Sequence, residues 1–178
     1  MCTPYTAAPL TRAAVLDAAL AVAEREGLEG LSMRVVAREV GVSTMALYRH
    51  VANKGDLLDG LVERLLGEVG LPAETLPWEQ RLRLLAGEVR RIAGRHPGLF
   101  ELLLRRRAVG EDALGVREAV HRALLDAGLD PDTAARRERL LSTMVMGFAF
   151  SEVTGRFAGL DVDAEFAEAL DLLARVVV

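Results

Sequence analysis

Apolar residues recur every three to four positions along almost the whole chain, and no stretch alternates strictly between apolar and polar residues. The first spacing is that of one face of an α-helix, and the second would indicate a strand. An early example is the stripe formed by Val15, Ala18, Ala19 and Val22. The pattern predicts an all-α protein of about nine helices.

Capping and turn-forming residues divide this pattern into segments. Thr11, Ser32, Ser43 and Asn53 stand where helix N-caps are needed, and Gly41 stands at a turn between two short helices. A proline-bearing linker at 70–77 follows the fourth helix. The predicted helices are approximately 12–26, 33–40, 44–50, 54–69, 78–95, 97–107, 111–127, 131–157 and 163–177.

Composition limits the classes of protein that this chain can belong to. Its 178 residues, 51% of them hydrophobic, suffice for a sizeable core. No apolar run reaches the length of about 18 residues that a membrane span needs, and residues 1–9 do not resemble a signal peptide. The single cysteine, Cys2, excludes an internal disulfide and a cysteine metal cluster. We expect a soluble, cytoplasmic protein that does not bind membranes.

The second and third predicted helices, joined at Gly41, fit a helix-turn-helix, whose second helix can lie in the DNA major groove. From residue 32 to 54, four basic residues (Arg34, Arg38, Arg49 and Lys54) face one acidic residue, Glu39. This segment therefore carries net +3 within a chain of net charge −4. A basic island indicates a phosphate-binding face. The alternative is an ordinary pair of packed helices with a solvated, charged surface.

A specific resemblance supports the first interpretation. The segment LSMRVVAREVGVSTMALYRHVANKGDLLDGLV contains the patterns AxxxGV at 37–42, LYxHV at 47–51 and NKxxLL at 53–58. It closely resembles the DNA-binding region of the TetR family, the tetracycline-repressor-like regulators, and the resemblance extends over about 10–66. It implies an N-terminal three-helix DNA-binding head and a C-terminal helical bundle for ligand binding and dimerisation. The implied division is a flexible tail at 1–9, a helix-turn-helix domain at 10–56 and a C-terminal domain at 57–178.

The resemblance also implies roles for particular residues. Tyr48, His50 and Lys54 stand where family members grip DNA phosphates. A guanidinium such as that of Arg34 can pair with guanine, and Met45 can contact a thymine methyl group. The full set of predicted DNA-binding residues is Arg34, Ser43, Thr44, Met45, Ala46, Tyr48, His50 and Lys54.

The C-terminal part offers apolar side chains rather than a catalytic set. The three histidines form no pair with metal-ligand spacing, so we predict no enzyme, no metal and no cofactor. His96, before Pro97, can cap helix carbonyls. The predicted pocket would take an apolar or amphipathic effector, although methionines also fill ordinary cores. Its predicted lining residues are Leu85, Val89, Phe100, Leu103, Met144 and Phe148.

A second segment, RHPGLFELLLRRRAVGEDALG, resembles the C-terminal domain of the tetracycline-repressor-like branch. Tetracycline sensors use a histidine-bound magnesium. The corresponding positions of the fifth and sixth helices hold Leu85, Val89 and Leu103 rather than a metal-binding histidine, so tetracycline–magnesium is not expected. The arginines at 105–107 could receive an anionic ligand or form a salt-bridged helix end.

A stripe of Phe166, Leu170, Leu173 and Val177 on the last helix could cover the monomer core or seal a two-fold interface, and the resemblance favours the interface. The expected protein is a homodimeric repressor that binds a palindromic double-stranded operator and is released by a small-molecule effector. The alternatives are a helical ligand-binding protein without DNA function and a helical-bundle enzyme.

Overall fold

A computed structural model describes residues 9–106 and 108–177, and all regular secondary structure in these ranges is helical, as predicted. Cys2, Arg107 and the predicted tail up to residue 8 lie outside the described residues. None of the described helices has the length and hydropathy of a membrane span. The helices are α1 (Arg12–Gly30), α2 (Met33–Val40), α3 (Thr44–Leu47), α4 (Lys54–Leu66), α5 (Trp78–Arg95), α6 (Pro97–Arg105), α7 (Glu111–Asp126), α8 (Pro131–Val153) and α9 (Val162–Val177).

The chain divides into two compact units, the first ending at Leu61 and the second beginning at Val62. Helix α4 continues through this division, so its first residues belong to one unit and its last residues to the other. The functional assignment of 10–56 and 57–178 stays a prediction.

Four predicted N-caps are confirmed in the first unit. In each, the side-chain oxygen accepts a hydrogen bond from the backbone N–H three residues later, at 3.0 to 3.3 Å. Such a bond satisfies one of the amide groups that a helix start leaves without a partner. The capping residues are Thr11, Ser32, Ser43 and Asn53.

Two helix ends in this unit differ from the prediction. Gly27 has non-helical angles (φ 74°, ψ 170°) as expected of a helix end, yet the chain makes a further turn to Gly30. Helix α3 ends at Leu47 rather than at His50. Beyond it the N–H of Arg49 donates to Ala46 and that of His50 to Leu47, at 3.3 and 2.9 Å. These bonds span three residues, so α3 ends in a tightened turn.

The turn between α2 and α3 depends on Gly41, which has φ 77° and ψ 30°. This left-handed conformation costs an L-residue energy because its Cβ crowds the following carbonyl, and glycine avoids the crowding. The next N–H, that of Val42, donates to the carbonyl of Ala37 at 2.9 Å and so closes the end of α2.

The loop between α3 and α4 is held by the carboxylate of Asp56. It accepts hydrogen bonds from both terminal nitrogens of Arg12, at 2.6 and 3.1 Å, and from the N–H of Ala52, at 2.7 Å. Arg12 also donates to the carbonyl of His50 at 2.7 Å. The start of α1 is thereby joined to both ends of the loop.

The core of the first unit comes from the apolar faces of its helices. Helix α1 packs against α2, and α2 packs against α3. Helix α3 contributes one fully buried side chain, that of Leu47, and its other residues are more exposed. The buried apolar residues of this unit include Val15, Leu16, Ala19, Val22, Leu31, Val36, Ala37, Leu47, Val51, Leu57 and Leu61.

In the second unit, α5, α7 and α8 pack against one another, α6 packs on α5 and α8, and α9 packs on α8. Phe166 and Leu173 of α9 are buried in the core, and Leu170 packs beside them. The stripe on α9 therefore covers the core of its own chain. The prediction that this stripe seals an interface was wrong for these three residues, while the side chain of Val177 lies outside the described residues.

His96 differs from its predicted role as a cap for helix carbonyls. Its ring is buried, and Nε2 lies 3.1 Å from Oε1 of Glu68. The ring therefore joins the segment after α4 to the junction of α5 and α6. At that junction the backbone N–H of His96 donates to Ile92 at 2.9 Å.

Replacing Gly41 with alanine is expected to lower the free energy of unfolding by about 1–2 kcal/mol, because alanine disfavours the left-handed conformation. A Cβ there would meet no atom within 4 Å, so the loss would come from the backbone alone. Urea unfolding measures it. Gly94→Ala is the matched control: space is also free there, but the residue lies within a helix. This control should gain about 0.5–1 kcal/mol. A stable Gly41→Ala protein would contradict the explanation.

The Asp56 carboxylate should make stability depend on pH. The Arg12 guanidinium, and then the Ala52 N–H, hold the pKa of Asp56 below its ordinary value of 3.8. A carboxylate with a lowered folded-state pKa stabilises the protein above its unfolded-state pKa, and this contribution is lost as the pH falls through the lowered value.

Asp56→Asn should therefore destabilise the protein by about 1 kcal/mol near neutral pH, the size expected of a partly exposed ion pair with one further hydrogen bond. The difference from the wild type should shrink below about pH 4. Urea unfolding at both pH values measures it, with Glu29→Gln as a control on an exposed carboxylate of the same unit. An equal difference at both pH values would refute the assignment.

Candidate nucleic-acid interface and effector cavity

The first candidate site is the surface of α2, α3 and the start of α4. Met45 has 76% of its surface exposed, and Tyr48 47%. Arg34 at the start of α2 and Lys54 at the start of α4 are also exposed. Helix α3 thus turns Leu47 into the core and presents its opposite side outward.

The remaining predicted DNA-binding residues are less open. Thr44, Ala46 and His50 are half-buried, and the exposed Ser43 uses its hydroxyl as the cap of α3. The backbone carbonyl of His50 accepts a hydrogen bond from Arg12, while its side chain remains partly accessible.

Charge on this surface is unevenly distributed. Glu39, the acidic residue of the basic segment, is bound by Arg25 of α1 at 2.9 Å. Within residues 9–106 and 108–177, no ion pair joins Arg34, Arg49 or Lys54 to a carboxylate. Their positive charges therefore remain available to an anion, and phosphate groups favour such a surface.

The sequence reasoning missed Arg12 as a contributor to this site. Arg12 binds Asp56 and the carbonyl of His50, and so fixes the turn that follows α3. Its only sequence signal is a basic residue at a helix start, where the helix dipole favours acidic residues instead. The partner lies 44 positions away, beyond the reach of local patterns.

The second candidate site is a cavity of about 320 Å³ within the second unit. This volume is in the range of pockets for drug-sized ligands. Predominantly apolar side chains from α5, α7, α8 and α9 form its wall, together with α6, the segment after it and the last residue of α4. The lining includes Leu66, Trp78, Leu82, Leu85, Val89, Leu103, Val116, Val120, Leu141, Val145, Met146 and Leu170.

Three of the predicted pocket residues line this cavity: Leu85, Val89 and Leu103. The other three lie elsewhere. Phe100 is fully buried in a neighbouring cluster, and Met144 is 44% exposed on the surface of α8. Phe148 packs its ring against two other phenylalanine rings in the core, at centroid distances of 4.8 and 5.0 Å.

The sequence reasoning missed the polar part of the cavity wall. Glu138 and Ser142 are one helical turn apart on α8, and both line the cavity. The spacing of four could be read in the sequence, but it did not show whether these two polar residues face a cavity, a neighbouring helix or solvent. Within the described residues, no group of three or more histidine, cysteine, aspartate or glutamate side chains could hold a metal ion.

Comparison with known families gives two matches. Residues 15–61 match the family described as bacterial regulatory proteins, tetR family. Residues 82–174 match the tetracyclin repressor-like C-terminal domain. The second match alone covers more than half of the chain, and the two together include the first candidate site and most of the residues that line the cavity.

Individual proteins agree with these matches. The HTH-type transcriptional repressor DrrR1 of Streptomyces coeruleorubidus is 36% identical over 163 residues, which are 88% of this chain and 60% of that protein. The chain thus spans about three fifths of the length of two curated relatives, 60% of DrrR1 and 63% of a second HTH-type transcriptional regulator.

Two solved structures are similar over nearly their whole length. The Streptomyces coelicolor TetR family protein ActR in complex with actinorhodin has a TM-score of 0.87 and 27% identity, with 96% of each chain covered. BioQ with its double-stranded DNA operator has a TM-score of 0.80 and 26% identity, with 95% of this chain and 98% of that chain covered.

The family matches, the helical fold and the exposed helix-turn-helix thus lead to one conclusion: this chain belongs to the TetR family of DNA-binding transcriptional regulators.

Proposed function

We propose that this protein is a ligand-responsive transcriptional repressor, which binds a palindromic operator as a homodimer and releases it when a small molecule occupies the cavity. The observation that carries the proposal is the outward face of α2, α3 and the start of α4. That face combines the exposed side chains of Met45 and Tyr48 with exposed basic groups that pair with no carboxylate in the described part of the chain. Because its partner is DNA, we place the protein in the cytoplasm.

Recognition would be divided between the backbone and the bases of DNA. Lys54 and the hydroxyl of Tyr48 suit phosphate oxygens, and Lys54 stands at the positive end of α4. Arg34 can pair with a guanine edge, and Met45 can contact a thymine methyl group. Ser43 already caps α3 through its hydroxyl, so we assign it to holding α3 rather than to reading bases. BioQ, a similar protein, has been solved with its operator, which supports DNA as the partner of this face.

Effector binding would take place in the cavity of the second unit. Its volume and apolar wall suit a drug-sized, largely apolar molecule. ActR, with the same fold, has been solved in complex with actinorhodin. We replace Phe100, Met144 and Phe148 in the proposed pocket by the lining residues Trp78, Leu141 and Met146, because the first three lie off the cavity.

A second copy of this chain would pack on the outer faces of α8 and α9. Leu140 and Met144 of α8 are 41% and 44% exposed, and Gly147 continues the same face. Leu172 of α9 is 52% exposed. An apolar face that its own chain leaves uncovered is typical of a subunit interface. The DrrR1 relative is named a repressor, which favours repression over activation.

Helix α4 is the proposed lever between effector and operator. Its last residue, Leu66, lines the cavity, and its first residue, Lys54, is a proposed phosphate contact. A ligand that requires a different position of Leu66 would favour a different position of the whole helix. The resulting loss of operator affinity cannot exceed the difference in the ligand's affinity for the two conformations.

A footprint on the DNA that flanks the protein's own gene tests the function. Protection of two half-sites, with centres about 34–36 Å apart or a multiple of that distance, is expected of a dimer with two recognition helices. A scrambled fragment of equal composition is the control. Absence of a protected site on this DNA, together with absence of sequence preference in a random pool, would contradict the proposed repressor and leave only the helical ligand-binding protein.

Substitution of Lys54 and Arg34 should separate phosphate contacts from base contacts. Lys54→Ala should weaken binding to all sequences and reduce the salt slope by about 1 for each subunit of the dimer, because each subunit loses one phosphate contact. Arg34→Ala should relax preference at one base position in each half-site and cost about 1–3 kcal/mol on the preferred site. Filter binding at several salt concentrations and selection from a random pool measure the two effects.

Arg156→Ala is the charge-matched control for both variants, because it removes one exposed positive charge from the second unit. Its salt slope and base preference should equal those of the wild type. An unchanged slope for Lys54→Ala would remove Lys54 from the interface, and an unchanged base preference would do the same for Arg34.

A further inference from the structure

One carboxylate is buried in the otherwise mainly apolar wall of the cavity. The side chain of Glu138, on α8, is only 8% exposed, and it lines the cavity together with Ser142. The other acidic residue of the lining, Glu79, is exposed at the start of α5. A charge withdrawn from water into an apolar environment is unfavourable unless it is paired and hydrogen-bonded.

The pairing of Glu138 inside the protein is weak. The hydroxyl of Ser142 donates to Oε1 at 3.3 Å, and Nε of Arg117 lies 3.7 Å from the same oxygen, too far for a hydrogen bond. Arg117 is 58% exposed, so solvent screens its attraction. No further hydrogen bond to this carboxylate is found among the residues that the structure describes. Among the described residues, Glu138 is thus a buried acceptor with only weak partners, and it lies beside an apolar cavity.

We infer that the effector is an organic cation: a drug-sized, largely apolar molecule whose single protonated amine binds the carboxylate of Glu138. This inference rests on the proposed function, because it names the chemical class of that effector. The ammonium would displace the side chain of Arg117, which can turn into solvent. An ammonium enclosed in the cavity is screened less than the exposed guanidinium, so its charge-assisted hydrogen bond to Glu138 is stronger.

The ring of Trp78, another lining residue, is a second group that can attract a cation. Trp78 lines the same cavity, and an aromatic ring attracts a desolvated cation placed over its face. Trp78 is also the only tryptophan in the chain. Its fluorescence therefore reports on the cavity alone.

An anionic effector fits this wall less well, although three arginines line the cavity. Arg83 is bound to Asp171, Arg117 is paired with Glu138, and Arg106 is engaged as well. An anion would have to separate one of these arginines from its partner and would also meet the buried negative charge of Glu138. Both effects favour a cation.

Three probes with one apolar body test the inference. Pyrenemethylamine, protonated at neutral pH, pyrenemethanol and pyrenecarboxylate differ in charge while keeping the same ring system, which quenches tryptophan by energy transfer. Titration of the full-length wild-type protein should show the ammonium bound at least about tenfold more tightly than the alcohol, the fold-change of one charge-assisted hydrogen bond. The carboxylate should bind most weakly.

Variants of the chain test whether Glu138 causes the preference for the ammonium probe. Glu138→Gln, which keeps the shape of the side chain, should bind the ammonium and the alcohol with affinities within about twofold of each other. Arg117→Gln should bind the ammonium more tightly than the wild type does, because a competing cation is removed. Glu111→Gln is the matched control, because Glu111 is an exposed carboxylate of the same unit that does not line the cavity, and it should keep the wild-type preference.

The outcomes separate the inference from the proposed function. Equal binding of ammonium and alcohol by the wild type, tightest binding of the carboxylate, or a preference that survives in Glu138→Gln would overturn the cation assignment and leave a ligand cavity in place. Failure of all three probes to quench Trp78 would overturn both the cation and the drug-sized effector. The DNA-binding function is read separately, by the footprint.

Discussion

The proposed DNA-binding surface depends on the turn at Gly41. At φ 77° and ψ 30° this residue ends α2 and sends the chain directly into α3. Because α3 has only four residues, its direction is set by what precedes and follows it rather than by its own hydrogen bonds. The buried side chain of Leu47 fixes its rotation. A single left-handed residue and a single buried leucine thus decide which side chains of α3 face outward.

The loop after α3 completes this arrangement through charge. Asp56 receives Arg12 and the N–H of Ala52, and Arg12 also holds the carbonyl of His50. The basic residues on the outer face differ from Arg12 in this respect, because Arg34, Arg49 and Lys54 have no carboxylate partner in the described part of the chain. Within the described residues, the first unit therefore uses Arg12 and Arg25 for ion pairs within the protein and leaves Arg34, Arg49 and Lys54 available to an anion. These three charges lie in the basic segment of an otherwise acidic chain.

The cavity of the second unit combines apolar and charged groups in the opposite proportion to the proposed DNA-binding surface. Its wall is apolar over most of its area, and one carboxylate, that of Glu138, is buried within it. Arg117 compensates that charge only partly from an exposed position. Such a carboxylate can distinguish one class of apolar molecule from another, which a wholly apolar wall cannot do. Leu66, the last residue of α4, lines the same cavity, which is why α4 is the proposed link between an occupant and the DNA-binding surface.

The sequence by itself determined the helical class, the capping residues and the helix-turn-helix, because these depend on local spacing and on residues such as Ser43 and Gly41. It also placed Leu85, Val89 and Leu103 near a cavity, since each lies on the apolar side of its helix. Only the tertiary structure decided that Phe100 belongs to the core and that Met144 lies on the surface. It also decided that Arg12 pairs with Asp56, and that Glu138 lies in an apolar cavity wall. Helical periodicity shows that a residue faces away from water, but whether it then meets a neighbouring helix or an empty volume depends on packing between residues far apart in the chain.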